Sequence, residues 1–304
     1  MRAIAVTAAG GPEVLQVVEV PDPVPAAGQV VVRTLAACVN PADIAARVGH
    51  IPGGPVPPPF TLGWDIAGEV VAVGDEVSGL AVGDLVVGMI PWFLTRGAIG
   101  AYAELVPAEA AWLVPLPAGL DPVVAATVPL NALTAHRALK IFDLTGPTEI
   151  LVTGASGGVG GFAVQLAAQS GHTVRAQATH DDEAWVRDLG AQTVLRRGAD
   201  LAAGTPVPAV LDAVPLGDPA AAALSPGGVV VTTRPTPALD PARKVRQEVV
   251  LVEVNQLALH DLLEAVADGR LQTRVATTFP LTAAAEAHQH VEQTHPRGKV
   301  VLVP

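Results

Sequence analysis

Between residues 149 and 169 the chain reads EILVTGASGGVGGFAVQLAAQ: a short β-favouring run, glycines at Gly154, Gly157, Gly158, Gly160 and Gly161, then an apolar run with helical spacing. Few folds accept that order. Read from Gly154 it is G-x-x-G-x-x-G, lying directly after a strand and opening a helix, the context that lifts a glycine pattern above a chance match. Residues without a Cβ let the backbone approach a pyrophosphate, whose charge is held by free N–H groups and by the dipole at the helix start. The expected cradle is Gly154, Ser156, Gly157, Gly158, Val159 and Gly160, with Gly160 also letting the helix pack close to the strand. The plainer alternative is a glycine turn serving packing alone. The stretch from Ile150 to Val174 is long and uncharged enough to cross a bilayer, but six glycines within it argue for strand, loop and helix instead.

What surrounds this loop extends the pattern. EILVTG, HTVRAQAT, QTVLRR, VPAVLDAV, GGVVVTT and EVVLVEVN read as strands separated by helical or turn segments. Repeated strand and helix implies right-handed crossovers and a parallel sheet covered on both faces, so an α/β, doubly wound architecture is expected. Residues before it, QVVVRTLAACV, FTLGWDIAGEVVAVG and GDLVVGMI, form a β-rich region punctuated by Gly, Pro and Asp. The terminal GKVVLVP is expected to rejoin it. Predicted boundaries are 1–122 with 268–304 for the β-rich domain and 123–267 for the dinucleotide-binding domain. The segment GHIPGGPVPPPF is too rich in Pro and Gly for regular structure and reads as a lid or wall of a site.

Charge and composition narrow the function. With 304 residues, 50% hydrophobic and 15% charged, the chain can bury two cores and is not disordered. A net charge of -11 argues against nucleic acid and against an anionic membrane surface as partners. One cysteine permits no internal disulfide, and the N-terminal segment lacks the apolar core of a signal peptide, so a cytoplasmic location is expected. The choice of dinucleotide is read at the end of the second strand, where an acid would accept the ribose 2′-hydroxyl. That tip is Ala178, Thr179 and His180. With no carboxylate there, Thr179, His180 and the pair Arg196 and Arg197 could receive a 2′-phosphate, which favours NADPH.

The order NPADIAARVGHIPGG, LGWDIAGEVVAVG, VGDLVVGM, GAYAELV, VPLNALTAHRAL, TGASGGVG and RGKVVLVP resembles the zinc-independent quinone oxidoreductase (zeta-crystallin-like) branch of the medium-chain dehydrogenase/reductase superfamily, over nearly the whole chain. The resemblance implies a Rossmann doubly wound domain with a β-rich GroES-like catalytic domain. Zinc-dependent members place a cysteine ligand where this chain has Asn40, and a histidine-glutamate pair where it reads Trp64 and Asp65, so no metal is expected. Cys38, two residues before the ligand position, is expected on the other side of its strand as a small buried hydrophobe. Asp43 reads as a helix cap or a partner for Arg47.

Without a Lewis acid, reversible alcohol oxidation is hard, whereas hydride addition to a quinone or enone is helped by the acceptor's own conjugation. The expected activity is therefore NADPH-dependent reduction of a small-molecule quinone or α,β-unsaturated carbonyl. Two alternatives are an enoyl reductase tailoring an aromatic or polyketide-type metabolite and a non-catalytic NADPH-binding structural or redox-sensing protein. By the resemblance, Asn40 lies near the nicotinamide as the candidate catalytic residue, and Thr134, Val214, Thr233, Asn255 and Lys299 fall at cofactor-side positions. His50, Trp64, Trp92 and Asn131 are candidates for the substrate side, flat aromatic surfaces suiting flat ligands. The last sheet strand, apolar and at an edge, is expected to pair with its two-fold mate in a homodimer.

Overall fold

A computed structural model describes residues 1–51 and 54–304, and its contacts divide them into two units, 1–130 with 254–304 and 131–253. Segments 123–130 and 254–267, expected in the dinucleotide-binding part, belong with the β-rich unit instead. For the second segment the reason is local. Gln256 Nε2 donates to the carbonyl oxygens of Ala110 and Leu113, at 3.1 and 2.7 Å, and ties the start of its helix to the β-rich unit.

The β-rich unit opens with β1 (Arg2–Val6), β2 (Leu15–Glu19), β3 (Gln29–Val39), α1 (Pro41–Arg47), β4 (Phe60–Thr61) and β5 (Asp65–Val73). There follow β6 (Leu85–Met89), α2 (Trp92–Thr95), β7 (Leu105–Glu109), β8 (Leu113–Pro115), α3 (Pro122–Ala125) and α4 (Pro129–Phe142), the last leading into the second unit. Pro52 and Gly53, within the segment expected to wall a site, lie outside the described residues, and the described remainder of 49–59 forms no helix or strand.

Strand β3 organises this unit. Its Val and Ala side chains are buried on both faces, with Arg33 alone exposed, and three strands pair with it: β5, β7 and the final strand of the chain. Small side chains at Ala36, Ala37 and Cys38 let those neighbours converge. Much of the unit's aromatic content lies in its core, where Trp64 and Trp92 stack at 4.9 Å, Phe60 meets Trp92 edge-on at 5.7 Å, and Trp92 Nε1 donates to the Thr61 carbonyl at 2.7 Å.

The second unit comprises β9 (Glu149–Thr153), α5 (Gly158–Gln169), β10 (Thr173–Ala178), α6 (Glu183–Asp188), β11 (Thr193–Arg196), β12 (Val207–Asp212), α7 (Asp218–Ala221), β13 (Leu224–Thr232) and β14 (Arg246–Val249). Its strands form a 6-stranded sheet in the order β11-β10-β9-β12-β13-β14, all parallel, the doubly wound arrangement expected from the sequence. The uncharged stretch from Ile150 to Val174 is thus a strand, a loop, a helix and the start of another strand, and among the described residues no helix is long and apolar enough to cross a membrane. Strand β14 is shorter than EVVLVEVN suggests. Val250 still donates to Thr232 at 2.9 Å, but 251–255 leave the ladder.

The chain then returns through α8 (Gln256–Ala267), β15 (Val275–Pro280), α9 (Ala284–Thr294) and β16 (Lys299–Val303). Strand β16 runs antiparallel to β3, with Val300 opposite Val39 and Val301 opposite Cys38, so Lys299 starts beside Asn40. On the other edge of β3, Ala36 faces Ala67 of β5. Asp65 is thereby brought to the same end. The sheet register, not sequence proximity, gathers residues 40, 65 and 299.

Candidate active site

The glycine loop is built as a nucleotide cradle. Gly154 holds φ at +62°, and a Cβ there would stand 2.6 Å from Val214 Cγ1, so this turn needs glycine on both conformational and steric grounds. A Cβ on Gly160 would collide with the Gly154 carbonyl oxygen, which fixes how closely α5 seats on the turn before it. At the first turn of α5 the N–H groups of Gly158, Val159 and Gly160 have no intrahelical acceptor. They are available to an anion, and the cradle fits a dinucleotide pyrophosphate. Val159 is half-buried there, and Ser156 Oγ accepts from the Thr179 amide at 3.4 Å, linking the loop to the tip of β10.

Beyond that tip lie two arginines, with Asp181 and Asp182 in the turn that follows His180. Strand register sets Arg196 against Ala178, and the Arg197 amide donates to the Ala178 carbonyl at 2.9 Å, so both arginines flank the end of β10 with exposed side chains. His180 is also exposed there. Thr179 is less available, since its hydroxyl donates to Asp182 Oδ2 at 3.0 Å. Val214 packs on Gly154, and Thr233 at the end of β13 donates to the Ala213 carbonyl at 3.2 Å. Thr134 is buried on α4.

Two of the expected site residues have local structural partners. Asn131, expected on the substrate side, lies buried with its side-chain oxygen against Gly158, where even a Cβ would not fit. Asn255, assigned to the cofactor, caps α8 by accepting from the Ala258 amide at 3.0 Å, and it belongs to the β-rich unit.

In the β-rich unit the convergence around Asn40 forms a polar cluster. Asn40 Nδ2 donates to Asp65 Oδ2 at 2.7 Å and to the Cys38 carbonyl at 3.3 Å, while its Oδ1 accepts from Lys299 Nζ at 2.8 Å. Asp65 Oδ1 accepts from the Leu130 amide at 2.7 Å. Asp43 accepts from the amides of Asn40 and Gly63, at 2.8 and 2.9 Å, and so staples the end of β3 to the approach to β5. Cys38, Asn40, Asp43 and Asp65 have no exposed surface, whereas Lys299 is only half-buried.

Burial dominates the acid chemistry of this cluster. It pushes Asp43 up to about 8, against the pull of its amide donors, and Asp65 up to about 6, against the Asn40 and Leu130 bonds and the Lys299 charge. The Cys38 thiol is pushed up to about 12, again by burial, and is no nucleophile at neutral pH. The expectation that Cys38 turns away from the Asn40 position is corrected, because Asn40 continues β3 in extended backbone, at φ -118° and ψ 155°. Residues two apart in a strand share a face. Among the described residues no three His, Cys, Asp or Glu side chains stand together so as to hold a metal ion.

Asp43 does cap α1, but it does not pair with Arg47. Buried Arg47 forms a two-point ion pair with Glu292, at 2.8 and 3.1 Å, and its Nη1 donates to His288 Nδ1 at 3.2 Å. That donor fixes the imidazole tautomer, leaving Nε2–H to donate to the Tyr102 hydroxyl at 3.1 Å. Burial and the Arg47 charge hold His288 down to about 3, so it stays neutral. Burial and then the charge of Asp43 push Tyr102 well above its ordinary value. Nothing in AAAEAHQHVEQT marks His288 as part of a buried chain. Asp65 left one usable signal, an acid inside the apolar run FTLGWDIAGEVV.

The aromatic wall expected from Trp64 and Trp92 is core instead, both rings being closed off from solvent. Phe93, 40% exposed and edge-on to Trp64 at 5.4 Å, offers the aromatic face there. His50 is exposed just beyond α1.

Comparison with known proteins agrees with both units. Residues 26–118 match the alcohol dehydrogenase GroES-like domain and residues 189–302 the zinc-binding dehydrogenase family. A chloroplastic quinone-oxidoreductase of Triphysaria versicolor is 33% identical over 97% of this chain and 95% of its own length. A chloroplastic NADPH-dependent alkenal/one oxidoreductase of Arabidopsis thaliana is 31% identical over 91% of this chain and 72% of its own. The structure of a mycobacterial protein complexed with NADPH superposes with a TM-score of 0.86 at 30% identity, covering 100% of both chains. With the dinucleotide loop, the sheet order and these likenesses in agreement, the chain belongs to the quinone oxidoreductase branch of the medium-chain dehydrogenase/reductase superfamily.

Proposed function

We propose that the chain is an NADPH-dependent reductase of quinones or of carbon–carbon double bonds conjugated to a carbonyl. The observation that carries this reading is the Asn40–Asp65–Lys299 cluster, an amide, an acid and an ammonium joined by hydrogen bonds at the end of β3. Bound NADPH supplies the hydride. The chain's own part is to hold the dinucleotide on the Gly154–Gly160 loop, to receive the 2′-phosphate at Arg196 and Arg197, and to place a positive charge near Asn40. An acceptor suited to such a site brings its own electrophilicity, since its developing enolate or phenolate spreads charge over several atoms.

The test is NADPH consumption followed by absorbance with a simple benzoquinone and with a panel of small and bulky enones. Turnover of either class is expected. Bulky enones alone would point to a dedicated enoyl reductase, and tight NADPH binding with no consumption by any acceptor overturns the catalytic reading in favour of a binding protein.

We further read the chain as a cytoplasmic homodimer formed along β14. In support, β14 is the outermost strand of its sheet, and Leu251, just past it, is 63% exposed. A net charge of -11 and a single free thiol suit a reducing compartment. Recovery of the protein with membranes on cell fractionation would contradict that location.

A further inference from the structure

Reducing an enone or a quinone requires a proton as well as a hydride, and the buried cluster leaves few groups able to give one. Asn40 has both Nδ2 hydrogens engaged, by Asp65 and by the Cys38 carbonyl. Asp43 keeps a proton at neutral pH but is wholly buried, its oxygens accepting from the amides of Asn40 and Gly63, and those of equally buried Asp65 accept from Asn40 and Leu130. Tyr102, the sole tyrosine, is wholly buried and occupied by His288. Lys299 differs on both counts. It is the one member of the Cys38, Asn40, Asp43, Asp65 and Lys299 group with accessible surface, and of its three ammonium hydrogens one goes to Asn40 Oδ1. Among the described residues Lys299 forms no ion pair that would hold the remaining hydrogens.

We propose that Lys299 is the catalytic proton donor, held in position by Asn40 and Asp65. The proposal rests on the reductase reading above. Once hydride has been added at the β-carbon of an enone, the former C=C electrons lie on the α-carbon and carbonyl oxygen as an enolate. An N–H bond of Lys299 then breaks, its proton forms the new C–H bond at the α-carbon, or an O–H bond in a hydroquinone, and the electron pair remains on Nζ. Water returns a proton to the amine. Asn40 does not touch the acceptor in this scheme: its Oδ1 fixes the ammonium, and Asp65 fixes the amide, so Asn40 and Asp65 are positioning residues.

The experiment compares the wild-type chain with Lys299→Met and Lys299→Arg. NADPH affinity is measured by fluorescence and turnover at saturating NADPH. For Lys299→Met the expected result is NADPH affinity within about threefold of wild type and kcat lowered about 100-fold, the range of a lost general acid. The arginine variant, which keeps the charge but holds its proton, is expected to keep affinity and lose turnover, and it serves as the folded control if the methionine variant is unstable. A second arm needs no nucleotide: 4-nitrophenol bound to the wild-type protein should ionise at lower pH than in water, and should lose that shift in Lys299→Met. Unchanged kcat in the methionine variant, a loss accounted for wholly by NADPH affinity, or no phenol shift in the wild type each overturns the proposal. If the wild type consumes no NADPH with any acceptor, it is the reductase reading that falls, and the phenol arm still reports on the ammonium.

Discussion

Asp43 holds two peptide amides in a place where its own ionisation is costly, and that tension makes its titration visible. Its folded value of about 8 stands above the ordinary 3.8, so the folded chain keeps a proton that the unfolded chain has already released. The stability this confers is complete below the unfolded value and is lost as pH rises through the folded one. Asp65 adds the same sign up to about 6, whereas His288, held down to about 3 from 6.5, gives stability that is lost as pH falls. Above 6.5 only Asp43 of these three still titrates. Thermal or urea unfolding between pH 6.5 and 8 should therefore show stability falling by at most about 1.4 kcal/mol per pH unit, then levelling. Asp43→Asn, which cannot titrate, should flatten that slope; an identical slope in the variant would show that another group carries it. The glycines could be singled out as candidates from their local spacing, and Asn40 from the resemblance. Asp65 and His288 could not, since what matters about each is a partner 25 or 241 residues away, on another element.

At the scale of elements, the turn from β9 into α5 is the most constrained piece of the fold. Gly160→Ala would drive a methyl into the Gly154 carbonyl, and either the helix start or the turn must shift away from the pyrophosphate. NADPH affinity should fall at least about tenfold, equivalent to about 1.4 kcal/mol, as measured by fluorescence titration. Gly157→Ala, whose Cβ meets nothing nearer than 3.3 Å, should be the milder change, and equal losses in the two variants would refute this account. The parallel pairing of β10 and β11 makes a separate forecast. Replacing Arg196 and Arg197 together by alanine should weaken NADPH by about 100-fold while leaving NADH nearly unaffected, because only the former has a 2′-phosphate for them to meet. Equal loss for both nucleotides would place the arginines elsewhere in the site. The sequence pattern named each strand of this sheet but overextended the last: EVVLVEVN is apolar throughout, yet only its first part has a neighbour to pair with, and a strand stops where its partner does.

For the molecule as a whole, an apolar segment continuing past an outermost strand predicts association. Light scattering or sedimentation at micromolar concentration should give twice the 30.9 kDa chain mass, and a monomer under those conditions refutes pairing along β14. The sequence by itself determined the class of fold, the dinucleotide loop and the nature of the hydride donor, because period, glycine spacing and a missing acid at a strand tip are properties of short contiguous stretches. Only the tertiary structure decided that Trp64 and Trp92 are core, that Asn131 lies against Gly158, and that Lys299 meets Asn40. Those outcomes follow from the antiparallel register of β3 with β5 and β16, and register between strands far apart in the chain is set by how their faces pack together, which no short stretch of sequence contains.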